Sequence, residues 1–186
     1  MFTETEISQA NKTCSCGCVI KNSIVPKWIM ENIPRDKSIL DFGAGKRAYH
    51  ARNLTKEGFT KVDAHEFGKN SRKRIHTTKA LEKEYDVVYA SNVLNVQTSK
   101  EMMRGTLQLI KDVTSVNGVF VFNYPKSPRK NDLVLTEVLD VVKEFFTTVE
   151  EYDEGIFISK KSKGEKLWTK EKMAPESFTI IFEMKN

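Results

Sequence analysis

The chain has 186 residues, 39% of them hydrophobic and 30% charged, with a formal net charge of +5. That length suits one domain with a real core, and that composition excludes a disordered or fibrous chain. No apolar run nears the roughly 20 residues that a membrane-spanning helix needs. The acidic start Met1-Phe-Thr-Glu-Thr-Glu lacks the basic-then-apolar build of a secretory signal. A cytoplasmic protein with no membrane partner is therefore expected. The mild positive charge permits a polyanionic partner such as nucleic acid without requiring one. Basic clusters fall at residues 69–74, 126–130 and 160–170.

Residues 1–22 are polar, lack periodicity and read as a flexible arm or lid ahead of a domain spanning 23–186. They carry all three cysteines, Cys14, Cys16 and Cys18. An odd, bunched set is a poor disulfide framework and agrees with a reducing compartment. A closed zinc site needs wider spacing and a fourth ligand, so no metal is expected. Pro26 opens a helix with Trp28, Ile29 and Ile33 on one apolar face, and Pro34 ends it. Ser38-Ile-Leu-Asp-Phe is a strand running into a glycine turn. A helix over 46–56 turns Ala48, Ala51 and Leu54 inward, and Gly58 closes it. A second strand covers 61–67. The short basic stretch 69–80 carries only a weak third-strand signal.

Tyr85-Asp-Val-Val-Tyr-Ala90 is near-continuously apolar, as a buried parallel strand is. A helix over 99–113 places Met102, Met103, Thr106, Ile110 and Val113 at helical spacing. Asn117-Gly118 is a turn, and Val119-Phe-Val-Phe122 is a strand ending at Asn123-Tyr-Pro125. Asp132 caps a helix through Phe146, with Val134, Val138, Val141, Val142 and Phe145 on one face. Strands over 155–160 and 177–185 close the chain. There is no internal repeat.

Alternating strands and helices predict a mostly parallel sheet with helices on both faces. Ligands in such sheets bind beyond the carboxyl ends of the strands, so the residues just after each strand are the candidates. After the first strand, Asp41-Phe42-Gly43-Ala44-Gly45 offers two glycines for a sharp turn and close backbone approach, ahead of a helix N-terminus. A plain strand-to-helix turn is the alternative. After the second strand, Glu66 is placed to accept hydrogen bonds from ribose hydroxyls; Asp63, its rival, falls inside the strand. After the fourth predicted strand, Asn92 and Asn95 are polar groups at a buried mouth, for a ligand or for capping the next turn. After the fifth, Asn123, Tyr124, Lys126 and Arg129 offer an amide, a phenol and cations at the pocket rim.

Taken in this order, these residues resemble the class I S-adenosylmethionine-dependent methyltransferases. Ile39-Leu-Asp-Phe-Gly-Ala-Gly45 is similar to that family's first motif and Ala64-His-Glu-Phe-Gly68 to its acidic ribose-binding end. Tyr85-Asp-Val-Val-Tyr-Ala-Ser-Asn-Val-Leu94 is similar to its fourth-strand motif and Gly118-Val-Phe-Val-Phe122 to its fifth strand. The resemblance implies a Rossmann-like seven-stranded sheet with an antiparallel last strand, and S-adenosylmethionine as cofactor. It implies that Asp41 orients the loop, that Gly43 and Gly45 underlie the methionine end, and that Glu66 holds the ribose. It also implies that Leu81 or a neighbour before the fourth strand borders the adenine and that Asn92 faces the reaction centre. Arg47 stands where the family has a third glycine and must point outward. The tetrapeptide of amino-methylating DNA enzymes is absent after the fourth strand, as is a Pro-Cys pair.

Methyl transfer is displacement at a sulfonium carbon, for which orientation is the main requirement. Asn92 and Tyr124 are the catalytic candidates, with His50 and His65 as further possible bases. Asn95, Asn123, Lys126 and Arg129 are the substrate candidates. Three functions follow: methyl transfer to a nucleic acid or nucleotide-like acceptor, methyl transfer to a small molecule, or cofactor binding without catalysis in a protein that acts by protein contact.

Overall fold

The computed structural model describes residues 2–13, 23–125, 132–153 and 155–161. In chain order its elements are α1 (Glu4–Thr13), α2 (Ile24–Asn32), β1 (Ser38–Phe42), α3 (Tyr49–Lys56), β2 (Lys61–His65) and β3 (Tyr85–Ala90). They continue with α4 (Lys100–Val113), β4 (Thr114–Asn123), α5 (Leu135–Lys143), β5 (Thr148–Asp153) and β6 (Ile156–Lys160). The strands form one six-stranded sheet in the order β2-β1-β3-β4-β6-β5. The first four are mutually parallel, whereas β6 runs antiparallel to both β4 and β5. β2 and β3 flank β1 on opposite sides, so the strand order reverses there, and a crevice opens beyond the carboxyl ends of β1 and β3.

Side chains alternate across the sheet with a period of two. Ile39, Val87, Tyr89, Val119 and Val121 pack against Trp28, Ile29 and Leu54 of α2 and α3. Leu40, Val88, Ala90, Phe120 and Phe122 face the other way, onto Leu107, Ile110, Val138 and Val142 of α4 and α5. Each such large side chain, fully buried, contributes about 1.5–3 kcal/mol. The parallel strands therefore read as continuous apolar runs because both of their faces are covered.

Several predicted boundaries shift. The Asn117-Gly118 turn lies inside β4, where the pairing with β3 changes register between Tyr85 and Val87. A Cβ on Gly118 would stand 2.8 Å from the Tyr85 carbonyl oxygen, so the glycine serves close strand approach rather than a reversal. Asp132 is not the cap of α5; that helix starts at Leu135, where Glu137 accepts the Val134 N–H at 3.1 Å. β5 was not predicted, because Thr-Val-Glu-Glu-Tyr-Asp follows the helix without a glycine or proline and is half charged, as an edge strand can be. The second strand ends at His65, short of Phe67. The strand proposed over 177–185 lies outside the described residues, and seven strands become six within them.

The weak third strand at 69–80 is absent; the stretch holds turns and short 3-10 segments. Asp63 organises it. Its carboxylate accepts the Thr77 hydroxyl at 2.7 Å, the Lys83 ammonium at 3.0 Å and the Tyr85 phenol at 2.8 Å. Burial works to raise its pKa, but these three bonds and the Lys83 charge hold it below the ordinary value. Asp41, on the neighbouring strand, behaves oppositely: burial pushes its pKa up to about 7.

The two carboxylates give pH dependences of opposite sign. Asp63 contributes stability that is present above its unfolded value of about 4 and is lost as pH falls through its lower folded value. Asp63→Ala should cost about 1–3 kcal/mol in urea unfolding at neutral pH, with the difference from wild type shrinking in acid below about pH 4. Asp41 binds a proton more tightly folded than unfolded, so its contribution falls as pH rises from about 4 to about 7. Asp41→Asn should raise the melting temperature at pH 7.5 relative to wild type and remove that part of the slope. An unchanged slope in this variant would contradict the burial of a titrating Asp41.

Candidate functional site

The loop after β1 is tied to the end of β2. The Gly43 and Ala44 N–H groups both donate to the His65 carbonyl, at 3.0 and 2.9 Å. Gly43 has φ +75, and a Cβ there would stand 2.6 Å from Val93 Cγ2. Gly45 has φ +68 with no atom within 4 Å of a modest side chain's first carbon; its need is conformational, and the space beside it is open. Ala48 begins α3 in the left-handed region with φ 42 and has no side chain to cap the helix. Asp41 does so from the strand, accepting the Ala51 N–H at 3.2 Å, where a capping oxygen belongs. It is 2% exposed. Burial raises its pKa, Tyr89 and Ala51 oppose that rise, and the Glu66 charge adds to it. The Tyr89 hydroxyl is near enough for this effect but makes no well-formed hydrogen bond. Arg47 is exposed, which meets the condition set by the missing third glycine.

Glu66 closes the loop from the other side. One carboxylate oxygen accepts the Gly45 N–H at 2.6 Å and the other the Phe67 N–H at 2.8 Å. Burial pushes its pKa up, against the lowering by these two bonds and by His76. His76 is buried and was missed by the sequence reading. Its Nδ1 accepts the Arg72 N–H at 2.9 Å, so the proton sits on Nε2, which donates to the Gly45 carbonyl at 2.9 Å. No local pattern could have found it, because the contact spans 31 positions.

The remaining predicted residues divide. Asn92, at the end of β3, has φ 59 and is locked to Asn123 by two hydrogen bonds of 2.8 Å. Asn123 thus holds Asn92 rather than facing a ligand. The Tyr124 side chain is buried, and its hydroxyl donates to the Leu133 carbonyl at 2.7 Å, so its phenol proton is committed within the core. Leu81 lies on the 3-10 segment Ala80–Glu82 and packs on the core. The Asn95 Oδ1 is buried without a partner among the described residues. Lys126, Arg129 and the three cysteines lie outside the described residues. Burial lowers the pKa of His50 and takes His65 down to about 4, so His65 is neutral at physiological pH; its ring packs edge-on against Phe67 at 4.5 Å.

An open cavity lies beyond β1, β2 and β3. Gly43, Glu66 and Asn92 form its polar end, and Phe67, Val93, Val96 and Met102 much of its apolar wall. Phe2, Ile7 and Ala10 roof it. No lysine or arginine is among the described lining residues. The roof is α1, which the reading of residues 1–22 as a non-periodic arm or lid did not include. Thr3 and Glu6 form a capping box: the Thr3 N–H donates to Glu6 at 2.8 Å and the Glu6 N–H to the Thr3 hydroxyl at 3.2 Å. Phe2 and Ile7 stand at the positions of a hydrophobic staple. Phe2 meets Phe67 edge-on at 5.6 Å and sits so close to Gly105 that a Cβ there would be 2.8 Å from its ring. The sequence signal was Phe2-Thr3-x-x-Glu6-Ile7.

No protein-family model matches the sequence, and no curated protein matches it. Solved structures do match. A TehB-like SAM-dependent methyltransferase from Corynebacterium glutamicum aligns with 86% of this chain and 97% of its own, at 15% identity and a TM-score of 0.57. DesVI of Streptomyces venezuelae aligns with 86% of this chain and 93% of its own, at 12% identity and a TM-score of 0.55. Human N-acetylserotonin methyltransferase, crystallised with SAM, covers 76% of this chain with 53% of its own at 11% identity, with a TM-score of 0.50. At such identities the likeness is one of fold. Its parallel core, its antiparallel closing strands and its glycine loop give this chain the class I S-adenosylmethionine-dependent methyltransferase fold.

Proposed function

We propose that the chain binds S-adenosylmethionine in this cavity and transfers its methyl group to a small-molecule acceptor. The observation that carries this reading is the meeting of Gly43, Glu66 and Asn92 on one cavity at the strand ends. The residues fit the cofactor. The backbone beside Gly45 is open, and each Glu66 oxygen keeps a lone pair beyond its backbone bond, enough for two ribose hydroxyls. Phe67, Val93 and Val96 supply an apolar wall for a flat base. The bound cofactor supplies an electrophilic methyl on a positively charged sulfur, which departs as a neutral thioether.

What the protein adds is orientation and exclusion of water. The loop tied to His65 fixes one end, and α1 covers the other. Neither His65 nor Tyr124 serves as a base there: neither is among the described lining residues, and the Tyr124 hydroxyl donates to the Leu133 carbonyl. A small acceptor is favoured over nucleic acid because the described part of the lining carries no lysine or arginine, whereas phosphate recognition depends on such cations. The alternative is cofactor binding without transfer; labelled methyl appearing in any acceptor would exclude it.

Calorimetric titration with S-adenosylmethionine tests the reading. Wild type should bind saturably. Gly43→Val should abolish binding, since the added carbon meets Val93 at 2.6 Å in a left-handed backbone. Glu66→Gln should weaken binding about tenfold or more. Phe2→Ala should weaken it less and accelerate release, because it removes roof and leaves the loop. No binding to wild type would contradict the proposal.

A further inference from the structure

The pairing of Asn92 with Asn123 fixes which end of the Asn92 amide faces the cavity. A backbone N–H can only donate. The Asn92 N–H meets the Asn123 side chain at 2.8 Å, so the atom there is Oδ1 and the other end of the Asn123 amide is Nδ2. That Nδ2 lies 2.8 Å from the Asn92 side chain and needs an acceptor, so it faces Asn92 Oδ1. The orientation of both amides follows from one backbone group, without the usual ambiguity between oxygen and nitrogen. Asn92 Nδ2 is turned away from Asn123 and has no partner among the described residues, and Asn92 lines the cavity. The other polar lining groups differ. Ionised Glu66 only accepts, and Gln97 takes the Thr106 hydroxyl at 3.2 Å while donating to the Val93 carbonyl at 3.2 Å.

We propose that Asn123 sets Asn92 as a hydrogen-bond donor into the cavity, so that the acceptor molecule presents a hydrogen-bond-accepting group there: a carbonyl, a phenolic oxygen or an unprotonated ring nitrogen. A substrate offering only an N–H at this point sets donor against donor and leaves both groups desolvated, which sites of this kind reject strongly. Asn123 is thus a positioning residue and Asn92 the specificity-determining one. The inference rests on the reading of the cavity as the methyl-transfer site.

The test uses two flat probes of similar size, quinoline, which only accepts through its ring nitrogen, and indole, which donates its N–H. Both are titrated by NMR into the full chain, alone and with saturating S-adenosylhomocysteine. Wild type should bind quinoline about tenfold tighter than indole. In Asn123→Asp the new carboxylate accepts both the Asn92 N–H and the Asn92 amide, turning Asn92 Oδ1 toward the cavity, and the preference should reverse. Asn92→Asp presents an acceptor without any rotation and should reverse it too, which guards against a misfolded first variant. Equal binding of the probes, binding of neither, or one order in all three proteins overturns the proposal. A preference that vanishes with S-adenosylhomocysteine bound, together with about tenfold weaker binding of that compound to Asn123→Asp, assigns the accepting group to the cofactor and overturns the assignment to the methyl acceptor. An intact preference in a protein that binds no S-adenosylhomocysteine sinks the methyl-transfer reading and leaves the polarity of Asn92 standing.

Discussion

The site depends on the attachment of the β1 loop to the end of β2. Two N–H groups of the loop converge on the His65 carbonyl, and a third, that of Gly45, donates to the neighbouring Glu66. These bonds hold two glycines at positive φ, where other residues are strained. They also place a carboxylate against the loop that it helps to shape. His76 braces the loop from a third direction through the Gly45 carbonyl. The N–H groups of Gly43, Ala44 and Gly45 are thereby matched without any ligand, as in a largely preformed site.

That arrangement carries a cost within the sheet. Asp41 is buried to serve as the cap that Ala48 cannot be, and Ala48 itself sits in the left-handed region. A buried carboxylate with one well-formed hydrogen bond is disfavoured as an anion, and the nearby Glu66 charge adds to this. Strain and an unfavourable charge at one loop are what functional sites commonly hold. The sheet and α4 follow the ordinary rules, with apolar alternation on both faces of the sheet and a capped helix at Ser99, whose hydroxyl accepts the Met102 N–H at 3.1 Å.

Local signals were legible and distant ones were not. Asp41 through Gly45, the Tyr85–Ala90 strand and the helix after Ser99 could be read because strand, turn and cap each announce themselves within a few residues. Glu66 could be placed because a strand end locates it. His76 and Asn123 act on partners 31 positions away, and nothing beside them in the sequence says so. Tyr124 was a rim residue in the sequence and is a core residue in the fold, because its hydroxyl finds the Leu133 carbonyl nine positions on. α1 is the instructive omission. Its polar face hid a weak periodicity, yet the Thr3–Glu6 box and the Phe2–Ile7 staple were present to be seen.

Hydrogen–deuterium exchange with and without S-adenosylmethionine tests the central claim, that the tied loop and its helical roof together form the cofactor site. Exchange should slow together at residues 43–45, 66–67 and 92–96 and across α1, while the outer strands β5 and β6 stay unchanged. Unchanged exchange at the loop, or protection confined to other parts of the sheet, would contradict it.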